Sequence, residues 1–349
     1  MQTARKVAVA LIGCGRRGVQ ALGRAAREAA ALDLLAVCDL DEGRRLAAAA
    51  ALGVPAERDY RRLLDRPDLH AVIVATNPRA HARIALDAIR AGKHVLVEKP
   101  LADTTLAARE VARAAHAAGV VGMVGYQVRF SGFGEALVRA AHAVDAVQLV
   151  VTRQRGPMNP VGFTPDHYAG IMDAATHSVH QMMVAMGGPP QSVYAAVTRG
   201  TILGDETLEF VNLLMEYDGG RRTALLATSM LGFQVPGVVQ VVGTRGTVSS
   251  LDRRTLRVLR HDAVTAPGAR AEPPGMEAST IETTGEARSP DGRDATVAML
   301  ERFAGLVAEP ERGQGPNTLA EGAAAVAVTE AMVQAAVQGR RLPLAALYP

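Results

Sequence analysis

Tryptophan is absent from the 349 residues, and aromatic side chains make up only 3% of them. A core built by this chain must take its volume from Val, Leu, Ile, Met and Ala, and few rings are available to stack on nucleic-acid bases. Cysteine is nearly absent too. Cys14 and Cys38 are too few for a disulfide framework, so a reducing compartment is expected. No apolar stretch approaches the roughly 18 residues of a membrane span. The N-terminal run "KVAVALI" is short for a signal peptide and leads directly into glycines, so a cytoplasmic protein is expected. Neither sign of charge dominates: the net charge is +3, which makes no case for a nucleic-acid partner. Lysine is the scarcest charged residue. Lys6, Lys93 and Lys99 stand against 35 arginines. Arginine stays charged at any workable pH, whereas lysine is a compact ammonium that can lose its proton. Ordinary packing accounts for Lys6 and Lys93; Lys99 is read with its motif below.

What is present suits a globular chain of about two domains, with 48% hydrophobic and 21% charged residues. Over residues 1–125 short apolar runs alternate with Ala-rich helical segments. "KVAVALI", "LLAVCD", "DLHAVIVAT", "HVLVEKP" and "VVGMVGY" read as strands buried on both faces. Helices are expected over Val19–Ala31, Asp41–Gly53, "RAHARIALDAIRAG" and "LADTTLAAREVARAAHAAG", the last capped by Asp103 or Thr104. Repeated βα units imply a doubly wound parallel sheet of α/β class. Between the first strand and the first helix, Gly13, Gly15 and Gly18 form G-x-G-x-x-G with Cys14, Arg16 and Arg17 between them. The glycines allow a tight turn, a close approach of backbone to a pyrophosphate, and close helix–strand packing. Asp39 ends the second strand about 20 residues on, where a carboxylate can accept from ribose hydroxyls. That acid favours NAD, and nearby Arg44 and Arg45 keep NADP possible. Asp39 can also be read as a cap for the helix that follows. Thr76, Asn77, Glu98 and Lys99, at the ends of later strands, complete the candidate cofactor residues.

Residues 126–349 change character. Period-two segments at 146–152, 192–198, 209–217, 222–229, 238–244, 247–251 and 255–259 predict a mainly antiparallel sheet, with hairpin turns at Asp218-Gly219-Gly220 and "GTRGT". One helix, "DAATHSVHQMMVAMGG", interrupts them. Residues 262–292 read as a long loop, and helices at 294–307 and 319–338 close the chain; the last of these can pack back on the first domain. A sheet with one face left uncovered by helices predicts a homodimer or homotetramer through that face.

Asp173, His177 and His180 lie at i, i+4 and i+7, on one helix face. A carboxylate one turn from a histidine can orient the ring for proton transfer. The same spacing also suits plain structure or, less well, a zinc site; no metal is expected. Taken together, "GCGRRG", Asp39, "AGKHVLVEKPLA" and "DAATHSVHQMM" resemble the glucose–fructose oxidoreductase / inositol dehydrogenase / MocA family over nearly the whole chain. The resemblance implies a nicotinamide-dependent oxidoreductase acting on a sugar, cyclitol or related polyol. It implies that Lys99, Asp173 and His177 meet beside the nicotinamide, and that the Lys99–Pro100 bond is cis. His180 stands where the family frequently has Asp. Arg129, Arg153, Arg155, His167 and Tyr168 sit in segments expected to border the substrate, and together they would suit an anionic one. In this reading His177 is the general acid/base, Asp173 orients it, and Lys99 stabilises the reacting oxygen with a lowered pKa; Lys99 and His177 can exchange these roles. Two other functions fit the same residues: an enzyme that keeps NAD bound and oxidises its substrate only transiently, for glycoside cleavage or epimerisation, and a non-catalytic nucleotide sensor.

Overall fold

The structure is a computed structural model. It describes residues 6–154, 168–199, 208–229, 237–260, 277–310 and 315–346, and only the backbone of 154, 168–174, 199, 208–209 and 346. The chain divides into two compact units, Met1–Phe130 with Arg293–Val326, and Ser131–Gly292 with Ala327–Pro349.

In chain order the first unit contains β1 (Val7–Ile12), α1 (Arg24–Glu28), β2 (Leu32–Cys38), α2 (Glu42–Leu52), β3 (Ala56–Glu57), α3 (Tyr60–Leu64), β4 (Ala71–Val74), α4 (Pro78–Arg90), β5 (His94–Val97), α5 (Thr105–Ala118) and β6 (Gly122–Val124). The strands form a parallel sheet in the order β3-β2-β1-β4-β5-β6. The order reverses at β1, so the segments after β1 and β4 open a crevice at the carboxyl edge. Local chemistry sets the helix ends. Asp41 caps α2 by accepting the Arg44 N–H at 2.8 Å, and Gly53 closes it in the left-handed region. Of the two expected caps for α5, Thr104 is the one used; its hydroxyl accepts the Ala107 N–H at 3.3 Å. The helix expected over Val19–Ala31 is shorter. It opens as a π-helical turn at Gly18–Gly23 and stops at Glu28.

The second unit contains α6 (Gly132–Ala143), β7 (Ala146–Gln154), α7 (Tyr168–Ala185), β8 (Ser192–Arg199), β9 (Leu208–Tyr217), β10 (Arg222–Ser229), β11 (Val239–Gly243), β12 (Gly246–Ser250), β13 (Thr255–Arg260) and β14 (Glu277–Glu282). After them come α8 (Ala295–Ala308), α9 (Leu319–Gln338) and β15 (Leu342–Pro343). The nine-stranded sheet runs β14-β13-β12-β11-β7-β10-β9-β8-β15, antiparallel except between β7 and β10. α6 and α7 pack on each other and on one face of it, over Leu149, Leu213, Met215, Leu226 and Val241, all buried. The opposite face presents Tyr194 and Val242, 42% and 38% exposed.

Among the described residues one α-helix, α7, interrupts the strands of this sheet as expected, but α6 precedes them and is not expected from the sequence, because it carries Gly132 and Gly134 in its first turn and reads as a turn. One expectation is corrected. Part of the expected 262–292 loop is strand: all six residues of β14 are exposed, so it lacks the apolar alternation by which a strand is recognised, yet it pairs with β13 along its length. In the first unit α8 packs against α1, β1 and β2, where Met299, Leu300 and Phe303 join Leu11, Leu22, Leu34 and Val37 in one core.

Candidate functional site

The glycine loop sits at the sheet's point of reversal. Gly13 has φ +106°, and a side chain there would strike the backbone of Ala75; one at Gly18 would strike Gly13 O. These two positions need glycine for opposite ends of the same turn. A side chain at Gly15 would meet nothing within 4 Å. The open approach there is the space a pyrophosphate would use, so the loop fits a dinucleotide.

Asp39 is not the cap of α2, since Asp41 does that work. Its carboxylate turns to the glycine loop instead, accepting the Cys14 N–H at 2.8 Å through Oδ2 and the Asp41 N–H at 2.9 Å through Oδ1; Arg44 Nη2 lies 3.3 Å from Oδ1. Burial opposes the charge, but the two backbone donors and Arg44 outweigh it and hold the Asp39 pKa below the ordinary aspartate value. Cys14 and Cys38 are buried and unpaired with each other. Burial, the largest cause, pushes their thiols up to about 11 and about 12, so both are inert packing groups.

Gly13, Asp39, Arg44, Thr76 and Asn77 line a cleft of about 750 Å³. Gly15, Arg16, Arg17, Gly18, Glu98 and Lys99 lie outside its lining. Asn77 also caps α4, accepting the Arg79 N–H at 3.1 Å ahead of Pro78. The cleft has walls that sequence reasoning missed. Arg58 and Asp59, between β3 and α3, and Tyr60, Arg61 and Arg62 of α3 line it. Their signal is the charged run "ERDYRR", which has too little apolar periodicity to register as an element.

Lys99 is half-buried, and its bond to Pro100 is cis, as the resemblance implies. Its two neighbours are anchored. The Glu98 carboxylate, with a side chain 7% exposed, accepts Arg17 Nε at 3.0 Å. Pro100 O lies 2.8 Å from Nδ1 of buried His81, whose Nε2 lies 3.1 Å from Thr76 O. Both His81 partners are carbonyls. A neutral ring can donate to one of them and an imidazolium to both. Burial outweighs the carbonyls and lowers the His81 pKa. Lys93 has a structural role: Nζ donates to Arg66 O at 2.8 Å and Leu69 O at 3.0 Å.

In the second unit α7 is continuous through positions 173, 177 and 180, which places Asp173, His177 and His180 on one helix face. His177 and His180 are 8% and 1% exposed. The side chains of Asp173 and Tyr168 lie outside the described residues, as do Arg155 and His167 entirely. Arg153, one residue before the end of β7, has Nη2 at 2.7 Å from Glu286 Oε1, an oxygen that also accepts Arg253 Nη1 at 2.5 Å. Arg129, in the first unit, sits half-buried in a 3-10 turn at Gln127–Phe130. Among the described residues no three His, Cys, Asp or Glu are grouped to hold a metal ion, and no helix is long and apolar enough to cross a membrane.

Residues 7–126 match the model of an oxidoreductase family with an NAD-binding Rossmann fold, and residues 140–249 match the C-terminal domain model of the GFO/IDH/MocA family. Inositol 2-dehydrogenase 2 of Saccharopolyspora erythraea is 38% identical over 124 residues, 35% of this chain and 37% of that one. The inositol 2-dehydrogenase of Leifsonia xyli is 30% identical over 224 residues, 63% of this chain and 66% of that one. The matched region thus spans between about a third and two thirds of these relatives. An Agrobacterium radiobacter oxidoreductase solved with NAD+, L-tartaric acid and magnesium shares the fold, with a TM-score of 0.78 at 19% identity over 98% of this chain and 99% of that one.

Proposed function

The chain belongs to the Gfo/Idh/MocA oxidoreductase family, and on that premise we propose that it transfers a hydride between a nicotinamide dinucleotide and a carbinol or ketone carbon of a sugar, cyclitol or related polyol. One observation carries the proposal. The glycine loop, Asp39, Thr76–Asn77 and Lys99 all follow parallel strands at the carboxyl edge of a single sheet whose order reverses at β1. The inositol 2-dehydrogenase relatives support the polyol class.

In this proposal the glycine loop from Gly13 to Gly18, with Arg16 and Arg17, holds the pyrophosphate. Asp39 accepts from the ribose hydroxyls, and its charge disfavours a 2′-phosphate. When bound, the dinucleotide supplies the hydride acceptor or donor. Lys99 hydrogen-bonds the reacting oxygen and stabilises charge developing on it. His177 takes up or returns the hydroxyl proton, with Asp173 orienting the ring. Arg129, Arg153, His167 and Tyr168 contact substrate. Arg153 shares Glu286 with Arg253, which tempers its pull on an anionic substrate. Two free, buried cysteines support a cytoplasmic setting, and the apolar residues on the outer face of the nine-stranded sheet support a homo-oligomer.

The test starts from freshly purified protein, with bound cofactor measured before any addition, followed by a polyol and ketone screen read as NADH absorbance. NAD reduction by a polyol, lost by orders of magnitude in Lys99→Met with NAD affinity retained, is the expected result. Unchanged kcat in Lys99→Met sinks the assignment. Protein that arrives loaded and does not exchange directs the screen to bond cleavage or epimerisation instead.

A further inference from the structure

Lys99 lies in a turn whose two ends are held by different means. Before it, the Glu98 N–H donates to Val74 O at 2.8 Å, so the chain is still in register with β4. After it comes Pro100, which has no N–H to give. Its ring fixes φ, and ψ is left as the soft dihedral that orients the Pro100 carbonyl. Buried His81, in the opening turns of α4, meets that carbonyl. Nδ1 lies 2.8 Å from Pro100 O, and Nε2 lies 3.1 Å from Thr76 O. A neutral ring has one proton for these two acceptors. The Pro100 contact is the shorter and is buried, where a carbonyl without a donor is costly. The Thr76 contact is only partly buried, and Thr76 lines the cleft, where water can serve its carbonyl. The proton therefore belongs on Nδ1. Burial foremost, and the Lys99 charge to a lesser extent, lower the His81 pKa and keep the ring neutral.

We propose that His81 is a positioning residue for Lys99: by donating from Nδ1 to Pro100 O it locks the turn from which the lysine reaches the reacting oxygen. The inference rests on the dehydrogenase reading above for what the lysine does, but not for how it is held. Glu98 is fixed through its N–H, and Pro100 through its ring and its carbonyl. The backbone of Lys99 is thereby pinned at both ends, and its side chain sets out from one fixed place. The neutral ring suits the task in a second way. It brings a donor to the turn without a second cation beside the ammonium, which a lysine or arginine at position 81 would add.

Three substitutions separate the two carbonyls. In His81→Asn the amide nitrogen falls where Nδ1 was and can donate to Pro100 O. In His81→Gln it falls where Nε2 was and can donate to Thr76 O instead. His81→Phe keeps a ring and donates to neither. At mildly alkaline pH the histidine is neutral, so none of the three changes the charge beside Lys99. The sequence holds only Lys6, Lys93 and Lys99, so trace acetylation of the unliganded protein with acetic anhydride, followed by peptide mass spectrometry, reads Lys99 against the other two. Lys93 is tied by two carbonyls of its own, so a general loosening of the fold would move its rate as well. His81→Phe and His81→Gln are expected to shift the relative Lys99 rate about threefold or more, the low end of one hydrogen bond's effect, and His81→Asn to return it to that of the wild type. If His81→Phe does not fold, the comparison of His81→Asn with His81→Gln carries the test. Equal Lys99 rates in all the proteins, rescue by His81→Gln, or failure of His81→Asn to rescue overturns the inference. The dehydrogenase reading is checked apart from it, with NAD and the polyol found in the screen above. The same order is expected in kcat, with His81→Phe and His81→Gln down about tenfold, His81→Asn restored, and KM for NAD within about threefold throughout. The labelling order without the kcat order upholds the placement of Lys99 and removes the lysine from the chemistry.

Discussion

His94, at the start of β5, acts here as a neutral acceptor: its Nδ1 accepts the Val121 N–H at 2.9 Å. A protonated ring cannot accept at that nitrogen. Burial, with His70 a lesser cause, holds the His94 pKa below the ordinary value of 6.5. The sign follows from linkage: above 6.5 neither the folded nor the unfolded chain carries the proton, and below it the unfolded chain takes the proton first. His94 therefore contributes stability that is present above 6.5 and is lost as pH falls through its lower folded value. Thermal unfolding of His94→Asn, which keeps an acceptor near the same place, should show a shallower loss of Tm between neutral and mildly acidic pH. Parallel pH profiles for the two proteins would reject this account. Asp39 follows the same sign rule in a lower window, beginning at its ordinary value of 3.8.

Helix α4 shows how one residue can serve an element and a site together. Asn77 lines the cleft, but it also caps the helix, and Pro78 behind it supplies the fixed φ of a first helical position. Asn77→Ala should cost about 1 kcal/mol of unfolding free energy by loss of the cap, while Asn77→Asp retains the cap and returns most of it. Denaturant titration of the unliganded protein separates this from any effect on cofactor. Equal stability of wild type and Asn77→Ala would mean that solvent replaces the cap without loss. The glycine of α6 illustrates the reverse case. Gly132 lies against the backbone N of Thr284, where a side chain would come within 2.9 Å. The residue that hides this helix from pattern reading is the one its packing requires.

At the scale of the whole molecule, the nine-stranded sheet is covered by helices on one side and, among the described residues, bare on the other. Its bare side holds Tyr194 and Val242 among polar neighbours such as Gln148, Gln240 and Thr247. Alternation along β11 and β12 buries Val241 and Val248 toward the helices and turns Val242 outward. A soluble monomer rarely leaves such a broad face with large apolar side chains uncovered. Light scattering should give the mass of a dimer or tetramer, and Tyr194→Arg combined with Val242→Arg should shift it toward one chain. A wild type that is monomeric at every concentration tested would remove the oligomer from the proposal.

The sequence by itself determined whatever depends on near neighbours. Burial of parallel strands on both faces writes continuous apolar runs, so the βα alternation was legible. The conformational demands of a tight turn write Gly13 and Gly18, and the scarcity of lysine sets Lys99 apart among so many arginines. What only the tertiary structure decided are relations across long stretches of chain. These are the pairing of Arg17 with Glu98, the turn of Asp39 toward Cys14 while Asp41 caps α2, the return of α8 to the first sheet, and the charged wall of the cleft from Arg58 to Arg62. The physical reason is the same in each case. A hydrogen bond or ion pair between distant segments leaves no period in the sequence, because its geometry is fixed by which strands lie side by side. An exposed strand such as β14 leaves none either, since its stability comes from backbone pairing that any side chain permits.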